Sequence, residues 1–128
     1  MKGYITNIEK ETLENTDYRR VLYTTRNTQL VLMNIQPGDE IGEEVHQLDQ
    51  FIRIEKGNAK VVIDGTETEV GDGFAIVVPQ GARHNVINID ETELKLYTLY
   101  APPAHKDGTI EKTKADEHEE HFDGVVSE

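Results

Sequence analysis

The sequence predicts an all-β domain, a barrel or sandwich, and three observations carry that prediction. Short runs of β-branched and aromatic residues recur at even spacing, Gly-rich turns separate them, and no long helical pattern interrupts them. The chain has 128 residues, enough for one core and too few for two.

Residues 1–17 read as an N-terminal arm. They are polar, and Ile5, Ile8 and Leu13 suggest a short strand or one helical turn laid on the domain. Tyr18–Thr25 and Gln29–Ile35 read as an antiparallel hairpin around Arg26-Asn27. Gln36-Pro37-Gly38-Asp39 then supplies turn chemistry. Glu43–Glu55 reads as an extended stretch with a loop in its middle, and Phe51–Glu55 as a strand covered on both faces. Lys56-Gly57-Asn58 turns the chain into Ala59–Ile63. Asp64-Gly65 is the strongest hairpin signal, because both residues tolerate positive φ. Thr66–Val70 follows, then the turn Gly71-Asp72-Gly73, then Phe74–Val78 as a buried strand ended by Pro79-Gln80-Gly81. His84–Ile89 and Leu94–Ala101 complete a domain spanning 18–104. Residues 105–128 carry eight acidic side chains against three lysines and read as an acidic tail, either mobile or with a short helix between Lys114 and Phe122.

The formal charge is −12, from 13 Lys+Arg against 25 Asp+Glu. That balance argues against nucleic acid, which needs a basic face, and equally against an anionic membrane surface, and it favours solubility. There is no cysteine, so disulfides, thiolate metal sites and thiol nucleophiles are excluded. The amino terminus lacks an apolar signal core, and no run approaches the roughly 18 apolar residues of a membrane span. A cytoplasmic protein acting on a small molecule is the expectation. Ser127 is the sole serine and sits in the tail, which argues against a Ser-His-Asp hydrolase.

Chemistry concentrates between Gly38 and Asn88. Residues two apart on a strand face the same way, so Glu44 and His46 point together, and Gln50 can join them across a short bend. His84 starts a strand after a Pro-Gln-Gly turn. One carboxylate and two imidazoles suit a divalent ion such as Fe, Mn, Ni, Co or Zn, and Gln50 would add a weaker neutral oxygen. Asn88 shares the parity of His84 and is expected to orient structure. Asp49 is expected to face away, and Arg53 to serve a sheet or dimer contact. His105, after Ala101-Pro102-Pro103-Ala104, could be carried over the site as a catalytic proton shuttle or extra ligand. His118 and His121 lack the spacing of the His-Glu-x-x-His motif and read as solvated. Tyr18, Tyr23, Met33, Tyr97 and Tyr100 read as core with some capacity to line a cleft.

These residues resemble the two signature motifs of the cupins. The first appears as Gly38, five residues, Glu44-Val45-His46, three residues, Gln50, six residues, Gly57. The second is matched in full by Gly73, Pro79, Gly81, His84 and Asn88. The motifs span 51 residues, with a gap of 15 between Gly57 and Gly73. The resemblance implies a cupin double-stranded β-helix, or jelly-roll barrel, holding one metal ion in its mouth. It also implies a homodimer paired through sheet faces or exchanged terminal strands. It places Glu44 where the family has its first His, His46 at the second, Gln50 where the family has Glu, and His84 at the third His. Three functions remain open on this reading. One is a metalloenzyme, an isomerase or lyase or a dioxygenase, acting on a sugar-like or keto-acid-like molecule. The second is a binding module without turnover, and the third is a metal-free structural barrel.

Overall fold

The computed structural model describes residues 1–118 and 120–127. Ten strands form two antiparallel sheets. In chain order they are β1 (Arg19–Thr24), β2 (Gln29–Ile35), β3 (Glu44–Val45), β4 (Asp49–Lys56), β5 (Ala59–Ile63), β6 (Thr66–Val70), β7 (Ala75–Val78), β8 (Arg83–Asn88), β9 (Leu94–Ala101) and β10 (Ile110–Glu111). One sheet runs β10-β1-β2-β9-β4-β7 and the other β3-β8-β5-β6. Their facing surfaces enclose a core built on Val31, Ile52, Ile54, Val61, Val86 and Leu96.

Period-2 alternation generates that core. On β4, Gln50, Ile52 and Ile54 are buried while Phe51, Arg53 and Glu55 stand half-buried on the outer face. The expected even coverage of both faces is therefore an alternation. Asp64 and Gly65 take φ of 47° and 84°, closing the β5–β6 hairpin as its sequence demands. The expectation of a buried strand over Phe74–Val78 fails for a simple reason. β7 is an edge strand with one covered face, so Ile76 and Val78 are buried while Val77 is 67% exposed, and Phe74, just ahead of the strand, is 51% exposed.

In the N-terminal arm, one helix, α1 (Ile8–Glu14), packs outside the six-stranded sheet over β2, β4 and β9. Asn7 caps it by accepting the Lys10 N–H at 3.1 Å. α1 is the only α-helix among the described residues, and none is long and apolar enough to cross a membrane.

The C-terminal stretch departs most from expectation. It is docked as a strap. Gln29, fully buried on β2, accepts the His105 N–H at 3.0 Å and donates to the His105 carbonyl at 2.8 Å. β10 then pairs with β1, placing Glu111 opposite Arg19. A 3-10 turn at Lys114–Asp116 follows, started by reciprocal Thr113 and Asp116 contacts. The Phe122 N–H donates to the Ala104 carbonyl at 3.1 Å. Ser127 accepts the Thr24 N–H through Oγ at 2.8 Å and donates to Asp107 at 2.6 Å. Of the two forms expected for this acidic stretch, the short helix between Lys114 and Phe122 appears as the 3-10 turn, and specific polar pairings with distant partners dock it.

Candidate functional site

A cleft of about 750 Å³ opens between β3 and the β1–β10 edge, with the strap forming one wall. Its lining includes Arg19, Glu44, His46, His105, Glu117 and His121. The antiparallel pairing of β3 with β8 sets Glu44 directly opposite His84. His46 follows two residues later, and its Nε2 meets Glu44 Oε2 at 2.8 Å. The rings of His46 and His84 stand 5.3 Å apart. Three of the four sequence-derived ligands thus come together, and the turn at Pro79–Gly81 begins the strand that delivers the third.

The fourth, Gln50, is buried on β4. Its Nε2 donates to Thr98 Oγ1 at 3.0 Å, and Thr98 in turn donates to the Phe51 carbonyl at 2.8 Å. That pair of bonds fixes the amide, and its Oε1 is buried without a partner. His84 Nδ1 lies 3.0 Å from the Ala82 carbonyl. Donation there commits Nδ1 to the backbone and leaves Nε2 as the ring nitrogen turned to a metal ion, the arrangement of a metal-ligating histidine.

The carboxylate of Glu44 is under opposing influences. Burial works to raise its pKa, but the hydrogen bond from His46 and the charges of His46, Arg19 and His84 outweigh it and hold the group below the usual carboxylate range. Glu44 is therefore ionised at neutral pH. Among the described residues, however, no three His, Cys, Asp or Glu side chains stand together as a ready metal cage. Glu44 and His46 face each other directly, and the remaining oxygen donor is an amide.

His105 lines the cleft. Its ring packs edge-on to Tyr100 at 5.3 Å, and Tyr100 packs edge-on to His46 at 6.1 Å. Nε2 of His105 is buried with no partner. Burial, followed by the charge of Arg19, pushes its pKa down to about 3. It is a neutral imidazole at ordinary pH, suited to hydrogen bonding and ill suited to carrying a proton. Burial also raises the Tyr100 hydroxyl, which stays protonated.

The remaining candidates sort cleanly. Asn88 donates to the Ile35 and Thr92 carbonyls, both at 2.9 Å, and accepts the Asp90 N–H at 2.8 Å, so it orients structure. Asp49 is exposed and accepts the Gln80 N–H at 2.9 Å. Arg53 sits on the outer face beside Glu55. Tyr97 faces outward near Phe51, Tyr23 stacks on Tyr4, and Met33 is core. His118 and His121 are exposed as expected, yet both stand on the cleft wall.

Sequence reasoning missed Arg19 and Glu117. Arg19 is buried, pairs with Glu111 through Nη1, and meets Glu117 through Nη2 at 3.1 Å. Its parity with buried Val21 on β1 was the available signal that it points inward.

Comparison with known proteins agrees with this architecture. The family model described as "Cupin domain" matches residues 31–100. The chain is 43% identical over 122 residues to YrkC of Bacillus subtilis, an uncharacterized protein, covering 90% of this chain and 66% of that one. The chain thus spans just under two thirds of that relative's length. The crystal structure of BH2720 from Bacillus halodurans is 43% identical, superposes with a TM-score of 0.88, and is covered over 90% of this chain and 92% of that one. An RmlC-like cupin from Shewanella frigidimarina, 21% identical with a TM-score of 0.61 over 66% of this chain and 74% of that one, shares the fold.

Proposed function

The chain belongs to the cupin domain family, and from that premise we propose that it is a metal-binding cupin whose cleft takes a small oxygenated molecule, sugar-like or keto-acid-like. Glu44, His46, Gln50 and His84 would hold one divalent ion. The observation that carries this reading is the orphaned Oε1 of Gln50. A buried acceptor left unpaired costs about 1–3 kcal/mol, and native structures rarely leave one without an occupant for it. The Thr98 bond aims that oxygen, and the Ala82 bond frees Nε2 of His84. Both arrangements resemble the outer contacts that orient metal ligands.

The ion would supply Lewis-acid polarisation of a substrate oxygen. The rest falls to the chain. His105 offers its unpartnered Nε2 as a hydrogen-bond partner inside the cleft. Tyr100 braces His46 and His105 from behind. The strap closes the cleft on the side of Glu117 and His121 and so limits water.

A second reading is a ligand-binding barrel without a metal. The direct Glu44–His46 contact and the lack of a three-residue cage among the described residues favour it. Thermal melts with added Mn, Fe, Ni, Co or Zn separate the two. An ion at about 100 times its Kd is expected to raise the Tm of the wild type by on the order of 10 °C, and to leave His84→Ala unmoved. Equal shifts in both proteins, or none in either, would remove the metal reading.

The proposal extends to a homodimer through the outer face of the six-stranded sheet. Phe51, Val77 and Leu99 are cross-strand neighbours there, and Arg53 beside them pairs only loosely with Glu55, at 3.6 Å. A solution mass of one chain would refute it.

A further inference from the structure

Arg19 is the one Lys or Arg among the described residues that line the cleft. Its side chain is only 4% exposed, and it holds two carboxylates of different character. Glu111 is a structural partner. It is buried, it lies opposite Arg19 in the β1–β10 pairing, and its second oxygen accepts the His118 N–H at 3.2 Å. Glu117 is different. Its side chain is 35% exposed, it lies just past the 3-10 turn outside any strand, and it lines the cleft. It covers Nη2 of Arg19 at 3.1 Å and accepts the Tyr18 hydroxyl at 3.3 Å.

One guanidinium needs one carboxylate for neutrality, and Glu111 already provides it. Removing Glu117 leaves the Arg19–Glu111 pair and the β1–β10 strand pairing intact. It uncovers a guanidinium N–H and a phenol O–H at the place where the cleft-lining Glu117 carboxylate had accepted both. Those two donors match the two oxygens of a carboxylate. The stretch holding Glu117 is weakly tied. From 117 to 122 its described backbone bonds to the rest of the chain are few: the Glu117 N–H to the Lys114 carbonyl, the His118 N–H to Glu111 and the Phe122 N–H to the Ala104 carbonyl. Arg19 and Glu44 both line the cleft, so both ends of a short molecule can be reached from it.

We propose that Nη2 of Arg19 and the hydroxyl of Tyr18 form a carboxylate subsite of the cleft, and that Glu117 is its resident occupant, displaced when a small carboxylic acid enters. This deepens the functional reading and rests on it only for the second anchor of the substrate, the Glu44–His46–His84 centre. The substrate class narrows to short 2-oxo or 2-hydroxy acids. Entry exchanges one carboxylate for another at Arg19, so the net charge of the subsite is unchanged while the strap is released.

The test uses chelator-treated full-length protein, with pyruvate and lactate as probes and lactamide as the neutral counterpart. Wild type, Glu117→Gln and Tyr18→Phe are titrated by calorimetry. Amide hydrogen exchange is followed across 117–122. Glu117→Gln is expected to tighten pyruvate and lactate about tenfold, the effect of removing an occupant that fills the subsite in about nine molecules of ten. Lactamide should be unaffected, Tyr18→Phe should weaken the acids, and saturating pyruvate should speed exchange across 117–122 in the wild type. Unchanged or weaker acid binding in Glu117→Gln, a strap whose exchange ignores pyruvate, or no acid binding by any of the three proteins would overturn the proposal. Because the metal has been stripped, failure of the metal reading leaves the Glu117→Gln result standing, and the two outcomes are read separately.

Discussion

His84 and Asn88 lie on the same strand, β8, with the same inward parity, and both are buried. Asn88 spends all of its hydrogen-bonding capacity on nearby backbone, closing the turns at the ends of β2 and β8. Most polar groups around it are paired as well, the Asn34 Oδ1 excepted. Gly57 N–H donates to Asp72 at 2.9 Å, and Asn58 donates to Asp90 at 2.8 Å. His84 keeps one ring nitrogen uncommitted, and around it Gln50 Oε1 and His105 Nε2 are buried with nothing to bond. Folding normally satisfies buried polar groups, so the contrast within one strand separates the residues that hold the barrel together from those kept for a ligand.

Substitutions can break that contrast from either side. The largest expected effect is at the Asn88 end. Asn88→Ala strands two carbonyls and one N–H, and should cost about 2–4 kcal/mol in denaturant unfolding while leaving ligand binding by the folded fraction intact. Gly57→Ala acts at the same end. A Cβ there would meet the Glu93 carbonyl at 3.1 Å on a backbone with φ of 111°, and a loss of about 1–3 kcal/mol is expected by the same assay. At the His84 end the sign differs. Gln50→Leu removes an orphaned acceptor, and Thr98 keeps its bond to the Phe51 carbonyl. Stability should change by less than about 1 kcal/mol while metal-induced stabilisation is lost.

A pH dependence reads the same contrast at His105. The folded pKa of His105, about 3, lies below the ordinary imidazole value of about 6.5. Between those values the unfolded chain binds a proton that the folded one refuses, so stability falls as pH drops through that window. The wild-type Tm should therefore decline more steeply between pH 6 and 4 than that of His105→Gln. Parallel curves would show that His105 is not the buried neutral group described here.

What was legible in the sequence follows the range of the interactions. Asp64-Gly65, Pro79–Gly81 and the parity of Glu44, His46 and His84 are local signals, and the structure forms the turns and brings those three side chains together. Gln50 was legible by spacing, but not the Thr98 bond that orients it, because Thr98 lies 48 residues away. The strap was legible only in part for the same reason. Its acidic composition allowed a mobile tail or a short helix, and a 3-10 turn forms at Lys114–Asp116, but its docking depends on Gln29 beneath His105, Thr24 beneath Ser127 and Arg19 beneath Glu117. Phe74 and Val77 misled in the other direction, since apolar composition cannot reveal that β7 is an edge strand.

The most direct test of the metal reading is elemental analysis of protein purified without a metal-chelating tag, alongside Glu44→Ala and His84→Ala. Near-stoichiometric Fe, Mn, Ni, Co or Zn in the wild type, lost in both variants, is the expected result. A wild type without metal that also takes up none on reloading with each ion would contradict it and leave a ligand-binding barrel in its place.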